Sequence, residues 1–144
     1  MSQELTLKVA QKFLQDNDAV DLSKFKSIAA AAAEALARHK GDLNLDGLTT
    51  LSDAAAEALG KHEGALDEGA LFLSGLTTLS AASAEALGKH KGWLDLRGLA
   101  TLSAVAAEAL ARHEGMLGLD GLTTLSAAAA EALGKHKGSV SREL

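Results

Sequence analysis

The 144-residue sequence has no cysteine, no proline and no tyrosine, and its aromatics are three phenylalanines and one tryptophan. Without cysteine there is no disulfide framework, no thiolate zinc ligand and no thiol nucleophile. Excess positive charge is also lacking. Fourteen basic residues against nineteen acidic ones leave a net charge of -5, with nothing spare to neutralise phosphates, so nucleic acid is not an expected partner. Long apolar runs are missing as well. Ile28 to Ala33 is cut by Glu34, far below the ~18 residues of a spanning helix. Glu4 and Lys8 interrupt the opening segment where a signal peptide needs an apolar stretch. No membrane partner is expected, and the cytoplasm is the expected location. What is abundant is alanine and leucine, 30 and 27 residues within a hydrophobic fraction of 47%, enough apolar surface to offset the entropy of ordering.

That excess is organised as a repeat. His39, His62, His90, His113 and His136 are spaced 23, 28, 23 and 23 residues apart. Gly47-Leu48-Thr49-Thr50-Leu51-Ser52 returns at Gly75 to Ser80, Gly98 to Ser103 and Gly121 to Ser126. The longer interval is the same unit with five inserted residues, 65–69. Within each unit, Leu43-Asn44-Leu45 and its equivalents at Val20, Leu71, Leu94 and Leu117 alternate in polarity, which predicts a short strand. Ser52, Ser80, Ser103 and Ser126 stand where a helix N-cap belongs. Good helix formers follow, from Asp53 to Lys61 in the second unit. Gly41, Gly64, Gly92, Gly115 and Gly138 end the helices. A second position, occupied by Ala37, Gly60, Gly88, Ala111 and Gly134, never exceeds a methyl group, which predicts a close neighbour.

One unit cannot bury its own apolar face, so copies must stack, with parallel strands on one side and helices on the other. Strands about 4.8 Å apart and helices roughly 8 to 10 Å apart would curve the stack with its strands inside. Residues 1–18 differ: Leu5, Val9 and Phe13 recur every four residues, predicting an amphipathic helix that caps the repeats of 19–144.

The recurring Leu-x-Leu-x-Gly-Leu-Thr-x-Leu-Ser with its 23-residue period resembles the leucine-rich repeat of bacterial repeat proteins, over about residues 20–142. The resemblance implies an α/β fold. It would be a right-handed solenoid with short parallel strands on the concave face, α-helices on the convex face and an N-terminal capping helix. It also implies a non-catalytic scaffold for protein–protein interaction. One departure matters: where that family carries a polar turn residue, this chain has Phe25, Leu48, Leu76, Leu99 and Leu122. Gly47, the threonine hydroxyls or water must then satisfy the turn.

Three features stand out as candidate sites. The histidines would form a row along the stack, suited to capping helix C-termini rather than converging on a metal. Glu57 and Lys61, and their equivalents, are i,i+4 pairs on a solvated face. The strand residues beside the buried leucines form outward columns, which make Phe72, Trp93 and Met116 neighbours, ringed by Asp42, Asp46, Asp95, Arg97 and Asp120. An aromatic cluster with a charged rim has the anatomy of a protein-binding anchor, and the predicted protein-binding residues are Phe72, Trp93, Asp95, Arg97, Met116 and Asp120. No triad order, phosphate-cradling loop or paired acid stands outside the repeat, so no catalytic residue, metal or cofactor is expected. The alternative expectation is self-association: Leu117, Leu119, Leu122, Leu125 and Leu133 have no later coil to cover them, and this edge could pair in a homodimer or filament.

Overall fold

The computed structural model describes residues 4–62, 69–113, 116–119, 121–122 and 126–134, with the backbone of 140–141. Helices and strands alternate: β1 (Glu4–Leu5), α1 (Leu7–Gln15), β2 (Ser27–Ile28), α2 (Ala30–Leu36), β3 (Leu43–Asn44), α3 (Asp53–Leu59), β4 (Leu71–Phe72), α4 (Ala81–Leu87), β5 (Leu94–Asp95), α5 (Ala104–Leu110), β6 (Leu117–Gly118), α6 (Ala127–Gly134) and β7 (Val140–Ser141). Strands β3 to β7 form one parallel sheet in sequence order, with Leu43, Leu71, Leu94, Leu117 and Val140 paired across it. Helices α2 to α6 pack each on the next, and α1 lies against α2. No described helix is long and apolar enough to cross a membrane.

Local chemistry explains the elements. The Ser52, Ser80, Ser103 and Ser126 hydroxyls each accept from the backbone N–H three residues on, at 3.0 to 3.1 Å, the expected N-cap. Helices α3, α4 and α5 are shorter than the residue pattern predicts. They stop at Leu59, Leu87 and Leu110, and the following turn tightens so that the N–H groups of Lys61 and His62 donate to Ala58 and Leu59. Gly92 does not end the helix, which stops at Leu87 with Gly88 as its C-cap, and Gly64, Gly115 and Gly138 lie outside the described residues. Gly92 takes a positive φ of 119° in the turn beyond. Gly41 instead stays out of that region and lets the His39 ring approach.

The first unit departs from the repeat. Val20-Asp21-Leu22 is not a strand. The Asp21 carboxylate accepts from the N–H and the hydroxyl of Ser23, and this local bonding closes a 3-10 turn over Leu22–Lys24. The N-terminal segment is likewise more than a helix, because β1 pairs in parallel with β2 and the Ala29 N–H donates to the Leu5 carbonyl.

The leucines of the strands and turns fill a continuous core: Leu43, Leu45, Leu48, Leu71, Leu73, Leu94, Leu96 and Leu99 are fully buried. Leu48, Leu76, Leu99 and Leu122 therefore join the apolar core at the position where a polar turn residue would stand. The main chain closes the turn instead, each donating to the carbonyl three residues earlier. Thr49 adds a backbone bond to the Lys26 carbonyl of the preceding coil. Acidic side chains complete the ties between coils. Asp42 accepts from the N–H groups of Gly69 and Ala70, Asp46 from that of Ser74, and Asp53 from the hydroxyls of Ser80 and Ser83.

Two glycine columns set how closely coils approach. A methyl group on Gly47, Gly75, Gly98 or Gly121 would collide with a backbone carbonyl of the preceding coil. One on Gly60 or Gly88 would meet the Ala86 or Ala109 carbonyl of the next helix, the close neighbour that the small second position predicts. Gly134 meets nothing within 4 Å among the described residues. Gly98→Ala is therefore expected to lower the unfolding free energy by about 3 kcal/mol. Gly134→Ala should leave it unchanged or raise it by up to about 1 kcal/mol. Urea denaturation of the two variants reads both values, and equal losses would contradict the packing described.

Candidate functional site: the strand face and the histidine row

The strand ladder positions the aromatic cluster. Trp93 and Met116 immediately precede β5 and β6, and their carbonyls accept from the N–H groups of Leu71 and Leu94 at 2.8 and 2.9 Å. Their backbones are thus fixed in the sheet while Leu94 and Leu117 enter the core. Phe72, the second residue of β4, meets Trp93 edge to face, with ring centroids 5.4 Å apart and planes at 70°. Phe72 is half-buried, whereas Trp93 and Met116 keep 37% and 47% of their surface exposed. The register makes Trp93 and Met116 neighbours in one column, with Phe72 paired to Asp95 in the next.

The rim differs from the sequence expectation. Asp95 is not an exposed charge but fully buried. Arg97 folds back on it. Its Nε reaches both carboxylate oxygens at 3.0 and 3.1 Å, a terminal guanidinium nitrogen lies 2.9 Å from Oδ2, and the Arg97 N–H donates to Oδ1. Gly118 on the adjacent strand makes room for this: a methyl there would lie 3.3 Å from Asp95 Oδ1 and 3.4 Å from Arg97 Cγ. A glycine beside an Asp-x-Arg triplet was the available signal. Arg97 stays half exposed over the buried carboxylate. Asp42 and Asp46 remain at the surface but bond to backbone N–H groups of the next coil, so they serve the stack as well as the rim. Asp120 lies outside the described residues.

The histidines do form a row. His62, His90 and His113 are buried and their rings stack, with centroids 5.2 and 6.1 Å apart and planes within 8°. His62 Nδ1 lies 3.0 Å from His90 Nε2, and His62 Nε2 lies 2.9 Å from the Gly41 carbonyl. Burial pushes the pKa of both His62 and His90 down; that of His90 falls to about 4, with the neighbouring histidines adding to the effect. His39 sits half-buried, edge-on to Phe13, and His136 is outside the described residues. No three His, Cys, Asp or Glu side chains are grouped to hold a metal among the described residues. On the helix side, Glu108 and Arg112 are 3.9 Å apart and 70% exposed, a solvated pair of little energetic weight.

Removing the guanidinium should expose the dependence of Asp95 on it. Arg97→Ala is expected to cost about 2 kcal/mol of stability, because a buried carboxylate loses its partner. Adding Asp95→Asn should restore most of that loss. A denaturant titration of the single and double variants checks the coupling, and additive losses would contradict it. No known family model, curated protein or solved structure matches the chain; its likeness to the leucine-rich repeat rests on the repeat residues themselves.

Proposed function

We propose that this chain is a non-catalytic, leucine-rich-repeat-like scaffold that binds another protein through its strand face. In this reading the stack is a right-handed solenoid with strands on the concave side, helices on the convex side and α1 as its N-terminal cap, working in the cytoplasm. The single observation that supports the site is the exposure of Trp93 and Met116, adjacent in register, with Phe72 packed against the indole. A rigid aromatic anchor on a surface held by a backbone ladder loses little entropy on binding, which is why such residues dominate interface energetics. Arg97, neutralised by Asp95 yet half exposed, offers donors beside the anchor.

The open leucine edge expected to drive self-association is not found, because Leu117, Leu119, Leu122 and Leu133 are buried and β7 pairs with β6, while Leu125 lies outside the described residues. One other observation favours this second reading, now through the α6 side. The socket that the next helix fills at Gly60 and Gly88 has nothing in it at Gly134 among the described residues. Light scattering over a concentration series tests this, and a strict monomer removes it.

The strand-face reading predicts that Trp93→Ala abolishes capture of partners from a lysate while costing about 2 kcal/mol of stability, from its edge-to-face contact and the covered part of the indole, with the fold retained. Val105→Asp, on the exposed side of α5 with 64% of Val105 accessible, should leave capture intact. Mass spectrometry of the retained proteins provides the readout. Loss with Val105→Asp and retention with Trp93→Ala would move the interface to the helix side.

A further inference from the structure

We propose that the buried row His62, His90 and His113 is an acid-sensitive latch on the turn, His90 to Gly92, that delivers Trp93 to the strand face. The inference concerns the stack itself and holds whatever that face binds. His90, Lys91 and Gly92 lead directly into Trp93, and His113 lies three residues before Met116. Gly92, at φ of 119°, is the point in the His90–Gly92 turn where the backbone takes a positive φ.

The hydrogen-bond pattern dictates the protonation states. The Gly41 carbonyl can only accept, so His62 carries its proton on Nε2 and its Nδ1 is an acceptor. His90 then donates from Nε2 across 3.0 Å to the preceding coil, and its own Nδ1 holds a lone pair. That Nδ1 is buried with no hydrogen-bond partner among the described residues. A further proton has nowhere good to go. On His62 Nδ1 it would oppose the His90 N–H; on His90 Nδ1 it would be a buried, unpaired donor on a cation.

The surroundings do not rescue that cation. His62 and His113 flank the His90 ring, and the Gly69 carbonyl is the opposing influence. Lys89, Lys91 and Arg112 line the same groove, with Glu85 the carboxylate among them. On the His62 side, burial and the charge of His39 disfavour the cation, and they outweigh the Gly41 and His39 backbone carbonyls and Asp42, which favour it. With the folded pKa of His90 near 4 against an ordinary 6.5, the unfolded turn binds more protons between those values. The latch is therefore closed above about pH 6.5 and loses stability as the pH falls towards 4.

Trp93, the sole tryptophan, is a built-in reporter. On the full chain, its fluorescence emission is followed from about pH 8 down to about pH 4, with far-UV circular dichroism recorded alongside. The expected result is a red shift of emission below about pH 6 that precedes loss of the helical signal and moves at least about one pH unit lower in His90→Phe. An identical transition in His90→Phe, or none before the helices melt, overturns the latch. Should that variant fail to fold, a histidine ring-proton NMR titration of the unaltered chain decides alone. A His90 midpoint at or below about 5 supports the proposal, and one near 6.5 refutes it.

Discussion

Everything in this molecule depends on how closely one coil can approach the next. At Gly47, Gly75, Gly98 and Gly121 the chain lies directly on a carbonyl of the preceding coil, with no space for even a methyl group. That contact sets the offset between coils, and the offset brings Leu43, Leu71, Leu94 and Leu117 into register. Each coil can then bury its leucines only against its neighbours, so the core is shared and no single unit owns it. The alanines of the helices serve the same end: Ala55, Ala56, Ala84, Ala106 and Ala107 are fully buried where larger side chains would push the helices apart.

Strict register also places chemistry in columns. Equivalent residues from successive coils become neighbours, so the histidines of three successive repeats, His62, His90 and His113, become a stacked row, and a tryptophan and a methionine in adjacent repeats become a surface patch. The two columns are linked through the chain, since each histidine lies a few residues before the residue that enters the sheet. Three of the acidic residues work between coils rather than within them. Asp42, Asp46 and Asp53 each satisfy donors in the following coil, which ties polar groups at the strand face and the helix starts to the same offset.

Much of this was legible because repetition multiplies weak signals. One Ser before an alanine-rich run is ambiguous, but four at the same phase identified the N-caps at Ser52, Ser80, Ser103 and Ser126. The adjacency of Phe72, Trp93 and Met116 followed from the same phase. Legibility failed where a residue acts on something outside its repeat. The Asp21 carboxylate competes for Ser23 and turns the first strand into a 3-10 turn, and β1 pairs instead with β2, the segment just before α2. Asp95 looked like a rim charge because alternation places it outward; its burial comes from an arginine two residues on and a glycine on the next strand. The periodicity of a strand carries no information about a side chain folding back over its neighbour.

The register of β4, β5 and β6 carries the core and the proposed binding face alike, so the most direct test is the set of proton–proton contacts made by the Trp93 indole in solution. A nuclear Overhauser spectrum of the intact chain should show the indole close to both the Phe72 ring and the Met116 methyl. Contacts to neither, with the indole instead against helix residues or a strand shifted by one position, would contradict the stack and the site built on it.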